Sequence, residues 1–213
     1  MTEAKYTSTI SEVGDYLMEH SSLILTLPVW IESFITRQTF PLTTDESRMH
    51  FVIGLALENI KRKSGGPFGA AIFESASGKL IAAGVNRVVS LGCSIAHAEM
   101  MAIGLAQQKL GTYDLGSPDL PAVELVTSTE PCAMCLGAIP WSGIRRVVCG
   151  AADTDARAAG FDEGTKPSDW KKSLQQKGIE VVTGIVAKEA AEVFTAFKEA
   201  GGEIYNGRLS DNS

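Results

Sequence analysis

Four residues of this 213-residue chain have types and spacing that suit metal chemistry. Cys132 and Cys135 lie three residues apart, directly after Pro131, and proline is preferred in the first turn of a helix. That spacing places both thiols on one face of a short helix. On its own the pair fits a redox dithiol or two small buried residues equally well. His97 and Glu99, two residues apart at the predicted start of another helix, make an accidental arrangement improbable.

One histidine and two cysteines would give Zn²⁺ three protein ligands and leave the fourth position for water, which is typical of catalytic rather than structural zinc. Water bound in that position has a pKa of about 7. Glu99 lies two residues from His97, so we expect it to stand beside that water as a general base without binding the metal. A non-catalytic zinc module remains an alternative, with Cys93 or Cys149 as a fourth ligand.

The remaining sequence predicts strands that alternate with helices, and therefore an α/β fold whose sheet is covered on both faces. A helix is expected to begin at Thr44 and to end before Gly65 and Gly66. Residues 1–43 predict one or two helices packed on the main domain. The other expected elements are a hairpin of Ala70 to Glu74 and Leu80 to Val85, a helix from Ser94 to Gly111, a strand from Val123 to Thr127, a helix from Pro131 to Trp141, a strand from Arg146 to Cys149, a helix from Ser168 to Lys177, a strand from Ile179 to Val186 and a helix from Lys188 to Glu199.

Composition favours a small substrate. The formal net charge is -6 and the pI is about 5.1, whereas affinity for nucleic acid comes mainly from Lys and Arg that neutralise phosphates. The first apolar run is interrupted by Thr26 and Pro28, so no membrane span is expected. Four cysteines are too few for a small secreted disulfide framework, which predicts a reducing, cytoplasmic location.

The order His-x-Glu followed by Pro-Cys-x-x-Cys resembles the signature of the zinc deaminases of the cytidine deaminase-like superfamily. The likeness spans about Thr44 to Tyr205. It implies a three-layer αβα sandwich around a mixed five-stranded sheet, with residues 1–43 as a helical extension and residues 44–213 as the deaminase domain. By the same resemblance, zinc is the only cofactor, the zinc ligands are His97, Cys132 and Cys135, and Glu99 carries the protons.

Segments around the metal motif resemble the bacterial guanine deaminases. These segments are Gly65 to Ala70, Asn86, Leu136 to Trp141, and Asp153 to Glu163, the last of which is similar to the family's Gly-Phe-Asp-Asp segment. Guanine presents a ring N–H beside its amino group, and one carboxylate can accept hydrogen bonds from both. The resemblance implies that Glu163 has this role, although the family places the shorter Asp there. Related aminotriazines are therefore expected as further substrates.

Other substrate contacts follow from the same resemblance. Asn86 would hydrogen-bond the edge of the ring that bears the carbonyl, Phe68 and Trp141 would cover the base, and Ala98 would lie against it. Each has a structural alternative: Asn86 can close a turn, and large aromatic side chains are most often core packing.

The implied reaction converts guanine to xanthine and ammonia. Glu99 would take a proton from zinc-bound water and deliver it to a ring nitrogen while the hydroxide attacks the amino-bearing carbon, and Glu99 or Glu163 would then protonate the amino group. The expected partners are a nucleobase and a second copy of the chain, with Ala196 to Tyr205 as the segment that such enzymes exchange between subunits. A transfer RNA adenosine deaminase remains the second interpretation, although its corresponding segment lacks an acidic pair.

Overall fold

A mixed five-stranded sheet forms the middle layer of the protein in the computed structural model, which describes residues 22–206. The spatial order is β2-β1-β3-β4-β5. Strand β1 is antiparallel to both of its neighbours, whereas β3, β4 and β5 run parallel. The strands are β1 (Gly69–Glu74), β2 (Leu80–Val85), β3 (Val123–Thr129), β4 (Arg146–Ala151) and β5 (Glu180–Val182).

Helices cover both faces of this sheet, as the sequence predicts. Successive residues of β1 point to opposite faces. Ala71 and Phe73 contribute to the apolar layer beneath α2 and α8, and Ala70 and Ile72 contribute to the layer beneath α4. The helices are α1 (Trp30–Thr36), α2 (Asp45–Lys61), α3 (Val88–Leu91), α4 (Ala98–Leu110), α5 (Ala133–Trp141), α6 (Asp153–Ala159), α7 (Trp170–Gln175) and α8 (Ala187–Glu199). The three-layer αβα prediction is confirmed.

Helix α2 begins where its capping residues predict. The Thr44 side chain accepts a hydrogen bond from the Ser47 backbone N–H at 3.1 Å, and the Ser47 hydroxyl accepts one from the Thr44 N–H at 3.2 Å. This reciprocal capping box satisfies two donors that the first helical turn leaves unpaired.

Several predicted boundaries are wrong. Helix α4 begins at Ala98 and not near Ser94, because His97 is extended and residues before it form a turn closed by Ala96 N–H to Cys93 O. Helix α6 lies in the Ala-rich stretch for which the sequence analysis predicts no element. Strand β5 is only three residues long, because Gly184 with φ of 80° interrupts the extended backbone, although the Ile185 N–H still donates to the Cys149 carbonyl of β4 at 3.1 Å.

The described part of the N-terminal segment packs into the core. Trp30 and Ile31 of α1 are 7% and 4% exposed and contact the cluster beneath α2. The part of the predicted extension in residues 1–21 lies outside the described residues. Among residues 22–206, no helix has the length and apolar character that crossing a bilayer requires.

Gly84 allows α4 to approach the sheet closely. A Cβ at this position would lie 2.1 Å from the Ala98 carbonyl oxygen and 2.6 Å from the Ala102 nitrogen. Any larger residue would therefore push the start of α4 away from β2, and the start of α4 carries His97 and Glu99.

Candidate active site

Three potential metal ligands meet where α4 and α5 begin. The distances from His97 Nδ1 are 3.5 Å to Cys132 Sγ and 3.6 Å to Cys135 Sγ, and all three ligand atoms lie within 4.8 Å of one another. Tetrahedral zinc with ordinary Zn–N and Zn–S bonds separates a nitrogen from a sulfur ligand by about 3.6 Å. The donor set and its spacing therefore fit Zn²⁺.

Local backbone geometry explains why these side chains are free to bind a metal. His97 is the N-cap of α4 and Cys132 is the N-cap of α5, both with extended backbone, and neither side chain caps its own helix. Cys135 lies one turn further along α5 and is fully buried. The two helix N-termini also favour negative charge near the thiols.

The cluster's own electrostatics favour a thiolate at Cys132. The hydrogen bond from Cys135 lowers the pKa of Cys132 to about 4, although burial opposes this shift. Sharing that hydrogen bond, together with burial, raises the pKa of Cys135 well above its ordinary value. Burial alone would lower the pKa of His97, but the hydrogen bond with Cys132 and the charge of Glu99 raise it. Cation binding would release the Cys135 proton, because the thiolate is the ligand form.

A cavity opens beside this cluster and contains two buried carboxyl groups. Glu99 is 7% exposed and Glu163 is 5% exposed, and both line the cavity together with His97 and Cys132. Burial raises the pKa of Glu99 and raises the pKa of Glu163 to about 8. Two carboxyl groups with raised pKa values beside a metal-binding cluster are suited to proton transfer.

Hydrogen bonds to backbone carbonyls fix the loop that carries Glu163. The Glu163 carbonyl accepts a hydrogen bond from the Ala133 N–H at 2.9 Å, which ties it to the first turn of α5. Arg157 Nη2 donates to the Gly164 carbonyl at 2.7 Å, and Lys166 Nζ donates to the Pro131 carbonyl at 2.8 Å. The backbone at Glu163 is thus fixed beside the start of α5, which carries Cys132.

The structure brings some predicted substrate contacts to the cavity and not others. Asn86, 9% exposed, and Phe68 line the cavity. Ala98 is fully buried and is not part of the lining. Trp141 is 87% exposed and lies against a different surface groove, so this chain does not bring it to its own cavity. It lies about 200° around α5 from the buried Ile139.

The lining also includes Phe161 and Asn206, for which the sequence predicts no role, and Tyr205, which the sequence predicts only as part of the C-terminal segment. Phe161 packs edge-on against Phe68, with ring centroids 5.0 Å apart. The sequence signal for Phe161 is its position between Gly160 and the acidic pair Asp162-Glu163, which places it next to a predicted substrate contact. Tyr205 and Asn206 reach the cavity from the C-terminal tail of the same chain. Asn206 Oδ1 accepts from the Asp162 N–H at 2.8 Å, and Asn206 Nδ2 donates to the Gly160 carbonyl at 2.9 Å.

Comparisons with known proteins agree with this geometry. The model of the cytidine and deoxycytidylate deaminase zinc-binding region matches residues 42–151. The chain is similar to the guanine deaminase of Bacillus subtilis, at 39% identity over 134 residues covering 63% of this chain and 81% of that protein. It is also 33% identical to the tRNA-specific adenosine deaminase of the same organism over 156 residues, covering 73% and 89% of the two chains. A solved structure of guanine deaminase from Nitrosomonas europaea superposes with a TM-score of 0.80 at 46% identity, covering 84% of this chain and 98% of that one.

Proposed function

The chain belongs to the cytidine and deoxycytidylate deaminase zinc-binding family, and from that premise we propose that it hydrolyses guanine to xanthine and ammonia. The observation that carries the proposal is a buried carboxyl group, Glu163, in the same cavity as the metal cluster and Glu99. As a carboxylate, Glu163 accepts hydrogen bonds from both the ring N–H and the amino group of guanine. The similarity to two guanine deaminases supports the same substrate.

The proposed site divides the chemical work among a few residues. His97, Cys132 and Cys135 would hold zinc, which when bound lowers the pKa of a coordinated water to about 7. Glu99 takes a proton from the attacking water and gives it to a ring nitrogen of the base. Glu163 orients the amino-bearing carbon and Asn86 donates to the ring carbonyl. Glu99 then takes the second proton of the attacking water, which is now the hydroxyl on that carbon, and this proton reaches the departing amino group directly or through Glu163, so that ammonia leaves as the carbonyl of xanthine forms. Phe68 and Phe161 exclude water from the faces of the base.

Transfer RNA adenosine deamination is the weaker alternative. A net charge of -6 disfavours a polyanionic substrate, and adenine presents an acceptor where guanine has its ring N–H. An ammonia-release assay with zinc-loaded protein distinguishes the two functions. Its substrates are guanine, adenine, cytosine, cytidine, the aminotriazine ammeline and adenosine-containing transfer RNA. We expect turnover of guanine and, more slowly, of the aminotriazine. Equal rates on guanine and adenine, or turnover of transfer RNA alone, would overturn the proposal.

The zinc assignment predicts a clear pattern of metal loss. We expect about one zinc per parent chain and none in His97→Ala, Cys132→Ala or Cys135→Ala, because three protein ligands are needed for tight catalytic zinc. Zinc content after gel filtration, measured by inductively coupled plasma mass spectrometry, tests this. Cys93→Ala and Cys149→Ala are matched controls that should keep the metal, since neither cysteine belongs to the cluster. Stoichiometric zinc in all three ligand variants would refute the assignment.

We propose a homodimer, supported by an apolar helix with an exposed side. Helix α5 has no charged residue, yet Trp141 at its end is 87% exposed, beside a groove that includes Leu136 and Pro140. A helix that is apolar on all sides is normally buried. In sedimentation equilibrium at micromolar concentration, the parent should be a dimer and Trp141→Glu should shift toward monomer. Tyr113→Glu, at another exposed aromatic residue, should not; a fully active monomeric parent would remove this proposal.

The C-terminal tail, the part of the chain after residue 200, could cover its own cavity or that of the second subunit in such a dimer. In the single chain it closes its own cavity through Asn206, whereas the resemblance implies exchange between subunits. Mixed dimers of a tail-truncated chain, ending at residue 200, with a Glu99→Gln chain decide between these arrangements. Recovery of activity on mixing requires exchange, because only an exchanged tail covers the intact site. Without recovery, the tail acts on its own chain.

The remaining assignments follow from the same proposal. We propose that residues 1–43 are an extension packed on the deaminase domain of residues 44–213, supported by the buried Trp30 and by the match that begins at residue 42. We place the enzyme in the cytoplasm, where the reducing environment preserves zinc thiolates, and in purine breakdown.

A further inference from the structure

We propose that Trp30, Ser64 and Asn59 form a directed hydrogen-bond relay by which the N-terminal segment positions Asn86, and thereby sets the preference for a base with a ring carbonyl. The inference rests on the proposed function, because it assumes that Asn86 contacts the carbonyl of guanine. In it, Asn59 is a positioning residue that acts through the backbone of the cavity wall.

The relay begins at the indole of Trp30 in α1. Trp30 Nε1 donates to Ser64 Oγ at 2.9 Å, and Ser64 Oγ lies 2.8 Å from Asn59 Oδ1. An indole N–H can only donate, and a carboxamide oxygen can only accept. The hydroxyl of Ser64 therefore receives from Trp30 and gives its own proton to Asn59, so the direction of both bonds is fixed.

That direction also fixes which end of the Asn59 carboxamide faces the cavity wall. Asn59 is fully buried, and its Nδ2 group donates to the Gly66 carbonyl at 2.8 Å and to the Asn86 carbonyl at 2.9 Å. A flipped carboxamide would place its oxygen against these two carbonyl oxygens. The hydrogen bond that Ser64 donates to Asn59 Oδ1 opposes that flip, because it gives the oxygen a partner on the side away from the two carbonyls.

Asn86 and Gly66 are both cavity-lining residues, so the relay ends at the cavity wall. The side chain of Asn86 is itself oriented: its Oδ1 accepts from the Val88 N–H at 3.3 Å, which leaves Nδ2 as the donor side of the carboxamide. The wall here has little freedom, since a Cβ on Gly65 would lie 1.8 Å from the Asn86 carbonyl oxygen. Displacing the Asn86 carbonyl therefore moves Asn86 Nδ2, the donor that is proposed to bind the ring carbonyl of the base.

A second set of bonds joins the N-terminal segment to the residue after Asn86. Arg87 Nη1 donates to the Thr26 carbonyl at 3.2 Å, and Arg87 Nε donates to Ser90 Oγ at 2.7 Å. Ser90 Oγ in turn donates to the Ser64 carbonyl at 2.8 Å. The two routes meet at Ser64, which makes this residue the point where the N-terminal segment and the cavity wall are coupled.

The test compares two ligands that differ where Asn86 acts. Calorimetric titrations use zinc-loaded protein in the Glu99→Gln background, so that no ligand is turned over. 8-Azaguanine has the ring carbonyl, whereas 2,6-diaminopurine has an amino group in its place and lacks the neighbouring ring N–H. The effect of that N–H on Glu163 is the same in the parent and in each variant, so each ligand's affinity is compared between variant and parent. Trp30→Phe keeps an aromatic side chain, although a smaller one, and removes the N–H, and Ser64→Ala removes the relay hydroxyl. Ser33→Ala removes a hydroxyl that bonds only within α1 and serves as the control.

We expect Ser64→Ala to weaken the binding of 8-azaguanine on the order of tenfold, and Trp30→Phe to weaken it by a smaller factor. Ser64→Ala leaves the buried Asn59 Oδ1 without its hydrogen bond, and the loss of about one hydrogen bond corresponds to a change of this size. Binding of 2,6-diaminopurine should change less than about twofold in both variants, as should binding of either ligand to Ser33→Ala. Equal losses for the two ligands would indicate a merely structural role and overturn the relay. Unchanged binding of both ligands would overturn it as well.

Failure of the underlying function gives a different result. Asn86→Ala in the same background should lose affinity for 8-azaguanine selectively. If Asn86→Ala behaves this way and Ser64→Ala does not, the relay is wrong and the proposed function stands. If the parent does not bind 8-azaguanine, or Asn86→Ala binds both ligands as the parent does, the base-reading role assumed above is wrong and the relay falls with it.

Discussion

Glu99→Gln should keep its zinc and its fold and should lose about 10²- to 10⁴-fold or more in kcat for guanine. Glutamine has nearly the shape of glutamate but cannot carry a proton between the attacking water and the base. Glu99 is buried beside the metal ligands, and burial raises its pKa toward the range in which a carboxyl group both accepts and releases a proton. The loss should therefore appear in kcat more than in KM.

Glu203→Gln is the matched control for this experiment. Glu203 lines the mouth of the same cavity but is exposed, so the substitution removes an equal charge without removing the proton carrier. We expect its kcat to stay within a few-fold of the parent's. Steady-state kinetics, zinc content and thermal denaturation of both variants complete the comparison. Near-parental turnover by Glu99→Gln would place the base elsewhere.

Glu163→Ala should abolish guanine deamination while zinc remains bound. A site built to hydrogen-bond a substrate's donors discriminates by about 10⁴- to 10⁵-fold, because a mismatched partner leaves buried polar groups unpaired. Guanine has two adjacent donors for the Glu163 carboxylate, and the chain places that carboxylate in a nearly closed position, 5% exposed. Glu163→Asp should keep part of the activity with a changed ranking of guanine against aminotriazines, because its arm is one methylene shorter.

The control for Glu163 is its neighbour. Asp162 is exposed, and its Oδ1 accepts a hydrogen bond from the Gly164 N–H at 2.9 Å. Asp162→Asn removes the charge and keeps an oxygen that can make the same turn, so guanine turnover should stay within a few-fold. An unchanged guanine rate in Glu163→Ala would instead show that Glu163 does not bind guanine, and would remove the observation on which the proposal depends.

The pKa of Glu163 gives this residue a pH signature. Burial raises that pKa to about 8, so the free carboxyl group is protonated at neutral pH, whereas binding to two donors needs the carboxylate. We expect kcat/KM for guanine to increase as pH rises toward about 8. The profile of Glu163→Asp should show this limb at lower pH, since a shorter acid with more access to water is easier to ionise.

Local sequence patterns made the candidate metal cluster predictable. Features that depend on long-range contacts could not be predicted in this way. The spacing of Cys132 and Cys135, and the capping residue Thr44, act within one or two helical turns and can be identified in the sequence. Tertiary structure shifted the start of α4, where His97 is extended so that its side chain can face the cysteines. The contact of Phe161 with Phe68 joins residues more than 90 positions apart, and no periodicity indicates it.

Trp141 shows what helical geometry adds to a resemblance. The two cysteines and Ile139 define the inner side of α5, and Trp141 falls on the outer side. A helical projection made from the sequence would have separated it from this cavity. The hydrogen bonds from Asn59 were beyond such reasoning, because they depend on how the α2 terminus meets the end of β2.

The division of the site between helix starts and loops bears on how such an enzyme can evolve. The candidate metal ligands occupy the starts of α4 and α5, whereas Glu163 belongs to a loop that is tied to α5 by a main-chain hydrogen bond between Glu163 and Ala133, which does not depend on the side chain at position 163. After gene duplication, drift in this loop and at the end of β2 can explore new heterocycles while the hydrolytic centre stays intact. Natural selection can then refine substrate choice and reaction chemistry as nearly independent traits.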